Sequence, residues 1–280
     1  MIGRMTKRAL VLGGGGITGI AWEWGILSGL KAAGVDLTDT DLVVGTSAGS
    51  VVGAQVATGL DPEDRYQVQL VPPDGEIAAV LGPGLLMRYG LAMVGGPRSP
   101  RKVRARIGKL AVRASTVPEA ERVAVIESRL PVKAWPDRAL RLTAVDVETG
   151  EFRVFDRDSG VPLVHAVAAS CAVPGVWPPV TIEGRRYMDG GVRSGANADL
   201  AAGYDRVVVL APLPRGIGTG ARQQVERLRE SARAELVTPD AAALKSFGRN
   251  VLDPAKRADA ARAGLAQSAS VIDRVRTVWT

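Results

Sequence analysis

Apolar residues along the chain gather in short blocks that stop at glycine or proline. Arg8-Ala9-Leu10-Val11-Leu12 is one such block, and Arg206 to Ala211 is the clearest late one. Blocks this short, with little polar alternation, read as strands buried on both faces. Helical spacing follows the first block from about Thr18 to Ala32, with Ile20, Trp24, Leu27 and Leu30 or Lys31 near one face and Gly34 as the stop. Asp41-Leu42-Val43-Val44 then forms a second short strand. It runs into Gly45-Thr46-Ser47-Ala48-Gly49 and the small apolar helix start Val51, Val52, Ala54, Val56 and Ala57. Strand, glycine turn, helix and strand predict a β-α-β opening and an α/β fold. Its sheet is mostly parallel, with helices on both faces.

Further on, Gly59-Leu60-Asp61-Pro62 marks a break and a helix start. Ile77 to Val94 is apolar but interrupted by Gly82, Pro83, Gly84, Arg88 and Gly90. Arg101 to Ala114 reads as a helix with a stripe of Val103, Ile107, Leu110 and Ala114, and basic residues on its other faces. That pattern suits either a helix packed over the catalytic layer or one lying at a membrane surface. Another helix starts at Pro118 and runs toward Leu130. Leu140–Val147 and Glu151–Phe155 form a hairpin around Glu148-Thr149-Gly150. Val161 to Ala172 reads as helix, Val180 to Met188 as short strands around Glu183-Gly184-Arg185, and Gly220 to Leu236 as helix. A final helix spans about 254–279. With no internal repeat and no long linker, 1–280 is expected to be one domain, with a basic, Gly/Pro-containing cover at about 72–118.

Charge changes the picture in one place. The net charge is +7, yet Ile77 to Pro118 holds eight basic residues and no acidic one, leaving 28 basic against 29 acidic elsewhere. The excess belongs to one segment, where it favours an anionic surface; peripheral contact with an anionic membrane through Arg101–Arg113 is the expectation. No zinc-finger pattern or aromatic-rich motif supports specific nucleic-acid binding. Cys171 is the only cysteine, which excludes an intramolecular disulfide and suits a cytoplasmic protein. The glycine-rich start makes a poor signal-peptide core, and no run of eighteen apolar residues predicts a spanning helix. With one histidine and one cysteine, a metal site built on those ligands is not expected.

The chemistry centres on Gly45-Thr46-Ser47-Ala48-Gly49. A serine nucleophile needs a tight strand-to-helix turn, with Gly45 and Gly49 permitting close backbone approach. The loop Gly13-Gly14-Gly15-Gly16 admits two uses. It partly matches a dinucleotide fingerprint, which would make this a nucleotide-binding enzyme. Alternatively, its amides could stabilise an oxyanion beside Ser47. A base must also take the serine proton. His165, the only histidine, lies in an apolar helix and reads better as structural. Asp189, after a strand and before Gly190-Gly191, could serve if burial raises its pKa; on local sequence it could equally be a turn aspartate capping backbone. Asp146, Asp156 and Asp199 need only turn or cap roles.

Taken together, Leu12-Gly13-Gly14-Gly15-Gly16-Ile17-Thr18-Gly19, Gly45-Thr46-Ser47-Ala48-Gly49, the block Ala168 to Pro179 and Asp189-Gly190-Gly191 resemble the patatin-like phospholipase family, particularly its compact bacterial members. The resemblance implies a three-layer patatin-like fold and a serine acyl hydrolase that cleaves lipid esters without a cofactor. It implies Ser47 as nucleophile, Asp189 as general base, Gly14, Gly15 and Gly16 as the oxyanion loop, and Gly45, Thr46, Ala48 and Gly49 as the nucleophile elbow. Thr18 departs from the pattern, because the family commonly carries arginine or lysine there. That loss of charge leaves a catalytically weak lipid-binding or regulatory protein as another reading. Asn197 retains only part of the family's asparagine–proline text and reads as a loop or helix-cap residue.

Overall fold

The structure, a computed structural model, describes residues 6–72, 79–80, 82–94, 99–213 and 219–280. Five strands run parallel: β1 (Arg8–Leu12), β2 (Leu42–Gly45), β3 (Ala139–Asp146), β7 (Arg206–Leu210) and β8 (Arg233–Val237). Three more, β4 (Phe152–Phe155), β5 (Val180–Ile182) and β6 (Arg185–Asp189), join antiparallel. Together they make one eight-stranded sheet among the described residues. The alternation of side chains sorts the core into two layers. Leu10, Leu12, Val43 and Val208 pack toward α1 (Gly16–Ala32), α2 (Ala48–Ala57), α3 (Pro62–Leu70), α7 (Leu163–Ser170), α9 (Ala241–Phe247) and α10 (Arg257–Trp279). Ala9, Val11, Leu42, Val44 and Val207 face α8 (Ala221–Leu228) and the short 3₁₀ turn Ala198–Ala201. Helices thus cover both faces, as the sequence pattern predicts.

Two elements differ from expectation. The run Gly220–Leu236 is not one helix: α8 stops at Leu228, and Arg233–Val237 is strand β8, hydrogen-bonded along β7. The open edge of β7 satisfies that backbone better than another helical turn would, a long-range effect that local propensity does not carry. Helix α1 is buried all round rather than along one stripe, because α10 closes over it. The two backbones touch: a Cβ on Gly25 would stand 2.2 Å from the Ala261 carbonyl oxygen, and one on Gly264 2.4 Å from that of Trp22. Glu23 on the same helix is fully buried with neither oxygen hydrogen-bonded. Burial raises its pKa well above its ordinary value, so the fold favours the neutral acid.

The register of β3 explains how distant loops meet. Leu142 pairs with both Gly45 of β2 and Phe155 of β4, and Ala144 pairs with both Arg153 of β4 and Asp189 of β6. A residue has one partner on each side, so β4 takes one edge of β3, and β2 and β6 share the other, end to end. β2 runs with β3 and β6 runs against it. Their carboxyl ends, Gly45 and Asp189, therefore converge from opposite directions on Thr143.

The cover is built from α4 (Pro83–Val94) and α5 (Pro100–Arg113), followed by α6 (Glu119–Ser128). Residues 73–78, 81 and 95–98 of the expected cover, Arg98 among them, lie outside the described residues. The apolar stripe of α5 faces inward. Ile107 is fully buried, Val103 and Leu110 pack against the cluster that holds Val145 and Val147, and a Cβ on Gly108 would lie 2.0 Å from the Val147 carbonyl oxygen. Arg101 Nε donates to the Thr149 carbonyl and its guanidinium pairs with Glu151; Arg104 Nε donates to the Gly150 carbonyl. This is the packed alternative for that helix, with Lys102, Lys109 and Arg113 left exposed. Among the described residues no helix is long and apolar enough to cross a membrane.

Candidate active site

Ser47 sits between β2 and α2 with φ 54° and ψ −119°, a strained conformation for a residue with a side chain. Three contacts hold it there. Its N–H donates to Ser170 Oγ at 3.0 Å, and its carbonyl accepts from Ser50 Oγ at 2.6 Å and from the Cys171 thiol at 3.2 Å. Burial pushes the Cys171 thiol pKa up, so the protonated donor is the favoured form. The flanking glycines give the turn its tightness: a Cβ on Gly49 would lie 2.1 Å from the Leu12 carbonyl oxygen, and one on Gly45 2.6 Å from Ser50 Cα. Thr46 and Ala48 are buried within the same turn.

The glycine loop leaves β1 beside this turn and ends as the start of α1. Its amides are not equivalent. The Gly14 N–H donates to the Gly195 carbonyl at 2.8 Å. That bond takes Gly14 out of the expected set of oxyanion donors. A Cβ on Gly14 would stand 3.4 Å from Ser47 Cβ, an ordinary contact that places the loop against the serine. Gly15 and Gly16 N–H have no partner among the described residues. Both must be glycine: a Cβ on Gly15 would meet Pro212 Cβ at 2.4 Å, and Gly16, at φ +62°, would meet the Val251 carbonyl oxygen at 2.6 Å. Thr18, where a basic residue is usual in the resembling family, is fully buried. Its N–H donates to the Val251 carbonyl at 3.1 Å, and its hydroxyl lies 3.4 Å from the carbonyls of Gly15 and Val251. Neutral contacts with the segment before α10 thus hold the loop.

Asp189 is 4% exposed at the end of β6. Oδ1 accepts from the Gly191 N–H at 2.7 Å, while Oδ2 is buried and completes no hydrogen bond. Burial raises the pKa to about 6, with the Ser47 hydroxyl and the Gly191 amide drawing it back down. The adjoining glycine lets this loop press on β3, since a Cβ on Gly190 would lie 2.2 Å from Thr143 Oγ1. Asn197 ties the same point together. It occupies the cap position before Ala198–Ala201, yet its side chain makes no cap bond. Instead Nδ2 donates to Thr46 Oγ1 at 3.0 Å and reaches the carbonyls of Ser194 at 2.9 Å and Gly190 at 3.3 Å. The asparagine is therefore a clamp between the Ser47 turn and the Asp189 loop.

Ser47, Asp189, Gly14, Gly15 and Gly16 line one cavity of about 390 Å³, within the range of small-molecule sites. Ile17, Ile20, Val173, Pro174, Val192 and Leu252 make most of its wall apolar, and Tyr89, Trp177, Arg122 and Arg129 complete one side. Arg122 stacks over the Trp177 ring at 3.9 Å. Sequence reading missed Tyr89 and the two arginines; no motif marks them. Ser170 and Trp177 fall inside the Ala168–Pro179 block, which was their signal. His165 does not line the cavity. Asp146, Asp156 and Asp199 act in a turn, a 3₁₀ cap and an ion pair with Arg193. Among the described residues no cluster of three metal-ligating side chains occurs.

The family model for patatin-like phospholipases matches residues 10–202. An uncharacterised NTE family protein of Mycobacterium tuberculosis is 29% identical over 201 residues, covering 69% of this chain and 47% of the relative. The chain thus spans about half the length of the curated relatives it matches. Among solved structures, VipD of Legionella pneumophila aligns over 96% of this chain and 67% of its own, with 13% identity and a TM-score of 0.48. ExoU of Pseudomonas aeruginosa aligns over 96% of this chain and 53% of its own, with 17% identity and a TM-score of 0.45.

Proposed function

The chain belongs to the patatin-like phospholipase family, and from that premise we propose that it is a serine acyl hydrolase of lipid esters working through a Ser47–Asp189 dyad. The observation that carries this reading is the buried Asp189 carboxyl, close enough to the Ser47 hydroxyl for that hydroxyl to lower its pKa, in the same cavity as a serine held at φ 54°. An acid with a pKa near 6 is ionised at neutral pH, and remains basic enough to share the hydroxyl proton as attack begins. Resting hydrogen bonds in such sites are often loose and tighten around substrate.

In the proposed sequence, Ser47 Oγ attacks the ester carbonyl carbon and its proton passes to Asp189. The Gly15 and Gly16 amides receive the oxyanion. Collapse breaks the ester bond, and the leaving alcohol takes the proton from Asp189. Water then attacks acyl-Ser47, giving a proton to Asp189, and collapse returns that proton to Ser47 as the fatty acid leaves. The apolar wall suits an acyl chain, and the substrate class is a lipid ester: phospholipid, lysophospholipid or acylglycerol. Because β7, β8 and α10 extend the sheet and core of the family-matched part, the whole chain is read as one patatin-like domain.

Fatty-acid release from a panel of lipid esters, by wild type, Ser47→Ala and Asp189→Asn, tests the assignment. Each variant should lose at least about 10³-fold in kcat/KM, and a fluorophosphonate should label wild type at Ser47 alone. Activity surviving in both variants overturns the dyad.

A further inference from the structure

Helix α4 has two faces that want different surroundings. On its inner side, Leu85 packs over Gly175, and Tyr89, 5% exposed, lines the cavity with its hydroxyl donating to the Pro174 carbonyl. Ala92 packs beside Val103, and its carbonyl accepts from Arg106 Nε at 2.8 Å. On its outer side, Met87 is 66% exposed, Leu91 66% and Val94 84%. These positions are spaced i, i+4 and i+7, so they form one stripe. Three of the ten large apolar residues exposed among those described thus lie on one face of one helix. A contiguous apolar face of this kind marks an interaction surface.

Charge and position choose among occupants. Exposed Arg88 stands next to Met87, and α5, packed against α4, presents Lys102, Lys109 and Arg113 to solvent. No acidic residue occurs from Ile77 to Pro118. A second copy of this chain would bring like charges together, whereas an anionic bilayer supplies both apolar depth and negative headgroups. The stripe also lies on the far side of the helix that carries Tyr89 into the cavity. We propose that the outer face of α4, with Met87, Leu91 and Val94 beside exposed Arg88 and on a helix packed against the cationic α5, is the surface that docks this protein on an anionic lipid bilayer beside its acyl cavity. The contact moves from the stripe of α5, which the core occupies, to that of α4. The proposal rests on the lipid-ester reading for its purpose but not for its test.

Co-sedimentation with vesicles of phosphatidylcholine alone, and of phosphatidylcholine mixed with phosphatidylglycerol, measures the docking directly. Wild type should bind the mixed vesicles more tightly and lose that preference as salt rises. Met87→Glu/Leu91→Glu should weaken binding to mixed vesicles at least about tenfold, and Lys102→Glu/Lys109→Glu should remove the preference for phosphatidylglycerol. Hydrolysis of a water-soluble short-chain ester should stay within about twofold in both double variants, which checks that they fold and isolates docking from chemistry. If Met87→Glu/Leu91→Glu loses short-ester hydrolysis, Leu91→Ser with circular dichroism takes its place, with the same loss of vesicle binding expected. Undiminished vesicle binding by a folded apolar variant overturns the proposal. So does wild-type indifference to both vesicles, or a concentration-dependent dimer abolished by the same substitutions. A wild type that docks through α4 but cleaves no ester sinks the hydrolase reading and leaves the docking face intact.

Discussion

The catalytic layer and its cover treat added atoms in opposite ways. At the ends of β1, β2 and β6, glycines stand where a single methyl group would strike backbone: Gly49 against Leu12, Gly16 against Val251, Gly190 against Thr143. In α4, Gly84 and Gly90 have nothing within 4 Å of an added Cβ. Polar groups follow the same division. Thr46, Thr143 and Asn197 are buried and mutually hydrogen-bonded, while α4 turns three large apolar side chains to solvent. The candidate site is therefore built on close backbone contact at the sheet ends, and the helix over it has room around it. That division suits the proposed hydrolase, whose reacting atoms must be placed finely.

The sharpest way to break the comparison is at Gly16. Alanine there meets the Val251 carbonyl oxygen at 2.6 Å and must adopt φ +62°. The loop can relieve that only by withdrawing its amides from the position proposed to receive the oxyanion. Gly16→Ala should lower kcat by about 10²–10³-fold, the size expected for losing an oxyanion donor, while KM for a short ester changes little. A variant with near-normal kcat would show that the loop does not receive the oxyanion.

Asp189 sharpens the contrast through stability. Its folded pKa is raised, from 3.8 to about 6, so the fold prefers the protonated form. That preference stabilises the protein fully below the unfolded pKa and is lost as pH rises through about 6. Above that, wild type carries an ionised carboxylate that the buried site disfavours by about 3 kcal/mol at most. Asp189→Asn removes the ionisation. It should unfold at a higher temperature than wild type at pH 7.5, with the gap closing toward pH 4, even though it has lost activity. In the wild-type pH profile, kcat/KM should rise on an acid limb near pH 6. A variant less stable than wild type at both pH values would mean the carboxylate is a structural anchor.

Much of the fold was legible in the sequence. Strand-turn-helix segments are local, so β1, the elbow and Asp189-Gly190-Gly191 could be read from spacing and resemblance. What escaped was set by distance along the chain. Gly14 reads like its neighbours until Gly195 takes its amide. Arg233–Val237 reads as helix until β7 offers it an edge. Asn197 looks like a cap, and becomes a clamp only when Thr46 arrives beside it. The stripes of α5 and α4 show a different limit. An amphipathic pattern says that a helix has an apolar face, and both the core and a bilayer satisfy that demand. Only packing separates Ile107, fully buried, from Leu91, mostly exposed.

The smallest effect tests the cover itself. Gly90 lies inside α4, is not among the glycines with positive φ, and has open space where a Cβ would go. Glycine in a helix interior costs about 1 kcal/mol relative to alanine, through the backbone freedom it retains when unfolded. Gly90→Ala should therefore strengthen α4 without touching the site. Hydrogen exchange in peptides covering α4 should slow by about fivefold, the equivalent of 1 kcal/mol, and short-ester kcat should stay unchanged. Should the same substitution instead depress kcat as Gly16→Ala does, α4 would belong to the tightly fitted layer, and the division between site and cover would fail.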